Sequence, residues 1–393
     1  METISLYIHI PLCVKKCAYC DFASFSGRMG QRDRYVQAVC REIRAQAAFF
    51  GRRSVATIFF GGGTPTLLSG RQVQTIMDTI REGFDVLPDA EISMEGNPGT
   101  LNMENLRAYR QAGVNRLSLG VQSMDDELLA AIGRIHTAKE AEIAVQMARE
   151  AGFDNINLDL MYGLPGQTPM QWKETLQKAI ALAPDHLSCY SLILEEGTPL
   201  YDSVQQGACA PLPDEDEMER MDAFTMRLTC EAGYCQYEVS NFAKEGKRCR
   251  HNIVYWECLP YLGVGLNAHS DMDGRRFYNP EGWEGYLVMA ESSEFSREQE
   301  GNSTKEERMF ERMMMGLRQT RGVDAARFAR DFGKEIVQVW PETIAEMKGR
   351  NLLDSNNERI FLTERGMQVM NGVLVSLMEE TENQQKQRTS GNN

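Results

Sequence analysis

Three cysteines, Cys13, Cys17 and Cys20, stand in the stretch YIHIPLCVKKCAYCDF at spacings of four and three residues. A thiolate is a soft ligand that suits zinc or an iron–sulfur cluster. Structural zinc takes four protein ligands, usually as two pairs. Here three thiols crowd one loop, and the chain has no second CxxC pair. A cubane cluster held through three cysteines leaves one iron open to an outside ligand. An incomplete protein shell at a metal is where chemistry takes place. Zinc and an ordinary group of buried or reactive thiols are the competing readings of the same residues.

Other residues of the right chemistry recur at the ends of apolar runs. GGGTPT, Gly61–Thr66, is no phosphate-binding P-loop, because no Gly-Lys-Ser/Thr follows. Its glycines allow a ligand to approach the backbone closely. Glu95, Gln122, Arg134 and Asp159 are polar residues at or after such ends. Asp159 lies inside the apolar stretch NLDLMYG. A carboxylate there needs a partner, since an unpaired buried charge is costly.

The elements that must position these groups alternate. Ser5–Ile10 and Val55–Phe60 read as strands, as do AEISMEGNP, VNRLSLGVQS, INLDLMYG and HLSCYSLILEEG. Helical patterns fall between them, at Arg32–Phe49, Arg71–Glu82, Ala138–Ala151 and Thr168–Ala183 among others. Repeated βα units imply an α/β fold with a parallel sheet covered by helices. In such folds chemistry collects at the carboxyl ends of the strands. Five successive strand ends carrying polar or glycine-rich residues favour a partial (βα)6-type barrel over a doubly wound sheet. The expected divisions are a core over 1–200, an extension over 201–290, a winged-helix-like helical domain over 304–375, and a disordered tail over 380–393.

The formal net charge is −14, from 42 basic and 56 acidic side chains. That balance argues against non-specific nucleic-acid binding, which relies on Lys and Arg meeting phosphate. Between Thr304 and Met370, 12 basic face 11 acidic residues, too even for a winged helix that reads DNA. No apolar run approaches the ~20 residues that a bilayer requires. The opening METISLYIHIP has no basic n-region, so a cytoplasmic location is expected. The ten cysteines do not form a dense disulfide pattern. Cys40, Cys189 and Cys230 are expected in the core.

The spacing Cys-x3-Cys-x2-Cys after a first strand resembles the signature of the radical S-adenosylmethionine (SAM) enzymes. The resemblance implies a 4Fe–4S cluster on Cys13, Cys17 and Cys20, whose open iron binds SAM. A reduced cluster in that family cleaves SAM to a 5′-deoxyadenosyl radical. Tyr19 then corresponds to an adenine-side contact. GGGTPT, EGNP, LGVQS and DLMYGLPGQT narrow the likeness to the oxygen-independent coproporphyrinogen III oxidase branch. By those motifs Tyr7, Gly62 and Glu95 match contacts to the cluster-bound SAM. Gly63, Thr64, Gln122, Arg134 and Asp159 match contacts to a second SAM.

Two departures separate the chain from the oxidases. They carry a further cysteine two residues after the third, where Phe22 stands here. They also carry a long segment ahead of the cluster loop. Both departures resemble the HemW-type haem chaperones, as does HNIVYW, His251–Trp256. Haem binding and delivery to an acceptor protein is the implied function. Oxidative decarboxylation of coproporphyrinogen III is the alternative, and a non-catalytic redox sensor a further one. The resemblance assigns no catalytic residue. Haem enters as cargo, with His251, Tyr255 and Trp256 as its candidate contacts. His251 offers an imidazole to iron or a propionate, and the two aromatics offer flat apolar surface. An electron donor such as flavodoxin or ferredoxin is a further expected partner, with membrane contact only through an acceptor.

Overall fold

A computed structural model describes residues 3–292, 298–299 and 303–390. It divides into two compact units. The first comprises Met1–Cys235, Ser240–His251 and Pro260–Glu300; the second comprises Gln236–Val239, Asn252–Leu259 and Gly301–Asn393. The expected extension over 201–290 therefore contributes to both.

The first unit is built on β1 (Ile4–Ile10), β2 (Ser54–Gly62), β3 (Asp85–Gly96), β4 (Arg116–Gln122), β5 (Ile156–Tyr162) and β6 (His186–Ser191). These six are parallel neighbours in chain order. Helices α1 (Arg32–Phe50), α2 (Gly70–Gly83), α3 (Met103–Ala112), α4 (Asp126–Ala131), α5 (Ala138–Glu150) and α6 (Pro169–Ala181) alternate with them. Tyr261–Val264 adds a parallel strand beyond β1, followed by antiparallel strands His269–Met272 and Arg275–Tyr278. On the other side Asn241–Ala243 runs antiparallel to β6. Among the described residues the sheet stays open, so the architecture is a partial barrel.

Strands covered on both faces lose the polar alternation of a half-exposed sheet. β1 shows this, with six of its seven residues buried. Ile58, Phe60, Met94, Leu117, Leu119, Leu158 and Leu160 continue that core. Each buried side chain of this size stabilises the fold by about 1.5–3 kcal/mol. The helices start where sequence places caps. Ser69 with Gln72, Thr137 with Glu140, and Thr168 with Gln171 form capping boxes on α2, α5 and α6. α3 stops at Gly113, which takes the left-handed φ of 105°.

In the second unit, helices Lys305–Gly316, Ala325–Phe332 and Pro341–Gly349 accompany a three-stranded antiparallel sheet of Val323–Asp324, Arg359–Leu362 and Leu353–Ser355. Met309, Met313, Phe328, Trp340, Ile344 and Leu377 form its core. The hairpin turns through Asn356 and Asn357, as its polar residues suggest.

Two expectations are corrected. Cys230 is exposed, whereas Cys40 and Cys189 are buried as expected. The segment from 380 is helical as far as Ser390, as part of helix Met370–Ser390; residues 391–393 lie outside the described residues. The reason is docking. Trp340 Nε1 donates to Thr381 Oγ1 at 2.8 Å, Gln384 Nε2 donates to the Val339 carbonyl at 2.8 Å, and Glu380 accepts from the Thr343 amide at 2.8 Å. No helix among the described residues is long and apolar enough to cross a membrane.

Candidate functional site

The chain leaves β1 and doubles back at once. Phe25 donates its amide to Pro11 O at 2.7 Å, and Cys13 donates to Phe25 O at 3.0 Å. His9 Nε2 donates to Ala23 O at 2.8 Å, which leaves Nδ1 to accept from the Tyr7 hydroxyl at 3.0 Å. This closed loop holds Cys13 buried, with Cys17 and Cys20 half-buried. Burial raises the Cys20 thiol pKa, and the neighbouring sulfurs of Cys17 and Cys13 raise it further against the Phe22 amide and Lys16. Arg134 Nη1 donates to Cys17 Sγ at 3.5 Å, and Cys13 Sγ lies 3.9 Å from Thr64 Oγ1.

Among the described residues no three His, Cys, Asp or Glu side chains converge on a single ion. A zinc ion takes its ligands on one centre, whereas an iron–sulfur cluster takes its thiolates on separate irons.

The glycine segment packs against this loop. Gly62 has φ 110°, and a Cβ there would fall 2.5 Å from the His9 ring; at Gly63 it would fall 2.6 Å from Leu12 O. Both amides are taken within the protein. Gly62 N donates to Glu95 Oε2 at 3.1 Å, and Gly63 N to Ile10 O at 2.9 Å. Their role is close approach between β2 and the cysteine loop.

Glu95 and Asp159 are both partly buried in the interior. Burial pushes the Glu95 carboxyl up to about 8; Asp159 adds to the shift, while the Gly62 amide and Arg116 oppose it. Asp159 is also raised by burial, but Ser188, Ser118 and Asn157 offset this. Ser118 Oγ donates to Asp159 Oδ2 at 3.0 Å, and Asn157 Nδ2 to Oδ1 at 2.8 Å. The partner that Asp159 requires is therefore supplied by the protein.

Several polar atoms here have no hydrogen-bond partner among the described residues: Gln122 Oε1, Arg134 Nε and Asn97 Oδ1, all buried. Gln122 also carries φ 67°. Buried orphan groups are costly, and a polar ligand would relieve that cost. Gly120 keeps this space open, since a Cβ there would meet Arg134 Nη2 and Gln122 Nε2, each at 3.2 Å. Tyr19 packs with Leu128, Ile132, Met161 and Leu164. The thiol set and the orphaned polar atoms fit a cluster with a polar organic ligand beside it.

Sequence reasoning missed Arg116, Asn97 and His9. Arg116 is 2% exposed and its charge bears on both Glu95 and Asp159. Its signal was an arginine inside the apolar strand VNRLSLGVQS. His9 likewise interrupts the apolar β1.

Of the haem candidates, His251 belongs to the first unit, its ring centroid 6.5 Å from that of Tyr7. His251 is 1% exposed, against an expected open ligand. Thr57 Oγ1 donates to Ser5 Oγ at 2.8 Å, so its 2.7 Å contact to His251 Nδ1 is accepted from the imidazole N–H. The ring stacks on Phe59 with centroids 5.1 Å apart. Burial, then Arg116, lowers its pKa to about 3, so the imidazole is neutral. The amides of Arg250 and His251 are capped by Glu91 at 2.9 and 3.1 Å. His251 is thus a core residue of the first unit, packed on the Phe59 ring with Nδ1 satisfied by the Thr57 hydroxyl. Tyr255 and Trp256 belong to the second unit and are half-buried.

Residues 7–179 match the radical SAM superfamily, and residues 303–369 match the HemN C-terminal domain. The heme chaperone HemW of Bacillus subtilis is 37% identical over 377 residues, covering 96% of this chain and 99% of that one. The heme chaperone HemW of Escherichia coli is 44% identical over 281 residues, covering 70% and 72%. Among solved structures, the radical SAM coproporphyrinogen III oxidase HemN of Escherichia coli superposes with a TM-score of 0.83 at 25% identity, over 96% of this chain and 90% of that one. Identity sustained along nearly the whole length of both chains, on a fold that carries the three-thiol loop, makes this chain a member of the HemW family within the radical SAM superfamily.

Proposed function

We propose that the chain binds haem and hands it to an acceptor protein, and that Cys13, Cys17 and Cys20 hold a 4Fe–4S cluster with SAM beside it. The single observation that carries the reading is near-full-length identity to proteins named heme chaperone HemW. The orphaned Gln122 Oε1 and Arg134 Nε support a polar ligand next to the thiols.

When bound, the cluster and SAM supply one-electron chemistry. The chain's own residues hold and tune that pair. Arg134 donates to Cys17 Sγ and so orients that sulfur. Glu95, Gly62 and Tyr7 form one wall of the SAM space, with Glu95 protonated at neutral pH. Gly63, Thr64, Gln122, Arg134 and Asp159 border the position of a second SAM. Tyr255 and Trp256 offer the haem its flat contacts. His251 is assigned to packing. Electrons for the cluster come from a small donor protein of the flavodoxin or ferredoxin kind.

The superposition on HemN favours a second reading, oxidative decarboxylation of porphyrinogen propionates. Anaerobic reconstitution separates the two. Near-equal iron and sulfide that is lost when all three cysteines become alanine, followed by tight haem uptake without vinyl products from coproporphyrinogen III, supports the chaperone. Vinyl products overturn it in favour of the oxidase. A cluster with neither haem uptake nor SAM cleavage leaves a redox sensor.

A further inference from the structure

The second unit contains a cavity of about 180 Å³ lined by Trp256, Glu257, Arg312, Arg321, Arg327 and Arg359. Four guanidinium groups around one small space are notable in a chain of net charge −14. Carboxylates hold them in place. Arg321 pairs with Glu257; Arg327 pairs with Glu257 at 4.0 Å and Asp331 at 3.4 Å. Arg312 pairs with Asp331 at 3.2 Å, and Arg359 with Asp324 at 3.8 Å. Asp331 also pairs with Arg330 at 3.6 Å, so the carboxylates are shared among the cations.

Two donors at this cavity have no acceptor among the described residues. Trp256 Nε1 and Arg312 Nε are buried without a hydrogen-bond partner. An indole N–H and a guanidinium N–H can only donate. Leaving each unmet inside the protein costs about 1–3 kcal/mol. An arriving anion with acceptor oxygens would satisfy both, and a carboxylate matches the planar donor fork of arginine. The volume falls short of the roughly 300–1,000 Å³ of a pocket for a whole organic ligand. It suits the carboxylate arm of a larger molecule whose body remains outside. Trp256 also provides an aromatic ring beside that arm, which a flat apolar body would use.

We infer that this cavity of the second unit receives a propionate carboxylate of haem, with Trp256 and Arg312 as its donors. The inference rests on the haem reading and adds to it the group that is recognised.

The test titrates the intact, reconstituted protein with haem and with haem dimethyl ester, whose arms cannot carry charge. Wild-type protein should bind the diacid about tenfold or more tightly than the diester, the worth of a charge-assisted hydrogen bond. Trp256→Phe keeps the ring and removes the N–H, and Arg312→Gln removes the charge. Each should weaken the diacid by about tenfold and leave the diester unchanged. Equal weakening of both forms, or of neither, overturns the inference. Excess inorganic phosphate should not displace haem; displacement would reassign the cavity to a free oxyanion. Wild-type protein that binds neither form sinks the haem reading itself, whereas equal binding of both sinks only the propionate site.

Discussion

His251 and Glu95 show how far one residue's chemistry depends on its surroundings. A histidine in HNIVYW invites a metal-ligand reading, because imidazole is a common ligand. In the fold it donates to Thr57, stacks on Phe59 and stays neutral in the core. His251→Ala should therefore act as a core truncation. The loss of a buried ring and an unmet Thr57 acceptor predict about 2–4 kcal/mol of destabilisation in denaturant melts. An unchanged melt with a lost haem spectrum would return His251 to the role of ligand. Glu95 makes a pH prediction. Its carboxyl rises from the ordinary 4.5 to about 8 in the fold. The folded state therefore holds its proton more tightly than the unfolded chain. Its contribution to stability is full below pH 4.5 and is lost as pH rises through about 8. Thermal melts of the ligand-free protein should show this decline, and Glu95→Gln should flatten it across that window. A wild-type slope that persists in the variant would assign the decline to other groups.

At the scale of elements, what sequence made legible was what local physics controls. The six strands and their helices were readable because apolar runs alternate with 3.6-residue patterns. Positions of the cysteines, Glu95 and Gln122 at or just after strand ends followed from the βα order, whereas Asp159 lies in the middle of β5. The partners of those groups were not legible, because they come from neighbouring strands. Asp159 is satisfied by Ser118 from β4, and Gly62 spends its amide on Glu95 from β3. The glycines illustrate a testable contrast. Gly51 and Gly62 both have positive φ, but a Cβ at Gly51 meets nothing within 4 Å, while one at Gly62 strikes His9. Gly51→Ala should cost about 1–2 kcal/mol from backbone strain alone. Gly62→Ala adds a clash and should cost more, with about 1–3 kcal/mol of overpacking on top of the strain. Equal melting shifts for the two variants would show that β2 and the cysteine loop yield easily.

At the scale of the whole molecule, each compact unit has its own main hydrophobic core, and the first adds the small cluster around Leu128, Ile132, Met161 and Leu164. The cysteine loop belongs to the first, and the arginine-lined cavity to the second. Composition gave no warning that the polar C-terminal stretch would matter to either. The stretch from Glu380 carries no apolar side chain, so 380–393 read as a tail. Yet Glu380 accepts from the Glu342 and Thr343 amides at 3.3 and 2.8 Å, and so caps helix Pro341–Gly349 from outside its own segment. Such a cap is invisible to local sequence, because the acceptor lies nearly forty positions from the amides it satisfies. Deleting the chain from Glu380 onward removes that cap and the bonds of Thr381 and Gln384 to Trp340 and Val339. Losing a cap costs about 0.5–2 kcal/mol, and each further hydrogen bond about 0.5–1.5 kcal/mol. Calorimetry of the truncated chain should show a lowered transition for the second unit, with iron and sulfide content after reconstitution equal to that of the full chain. A truncated chain that melts like the full one would mean that water replaces the tail's bonds at no cost, and a parallel loss of iron would mean that the tail also supports the cysteine loop.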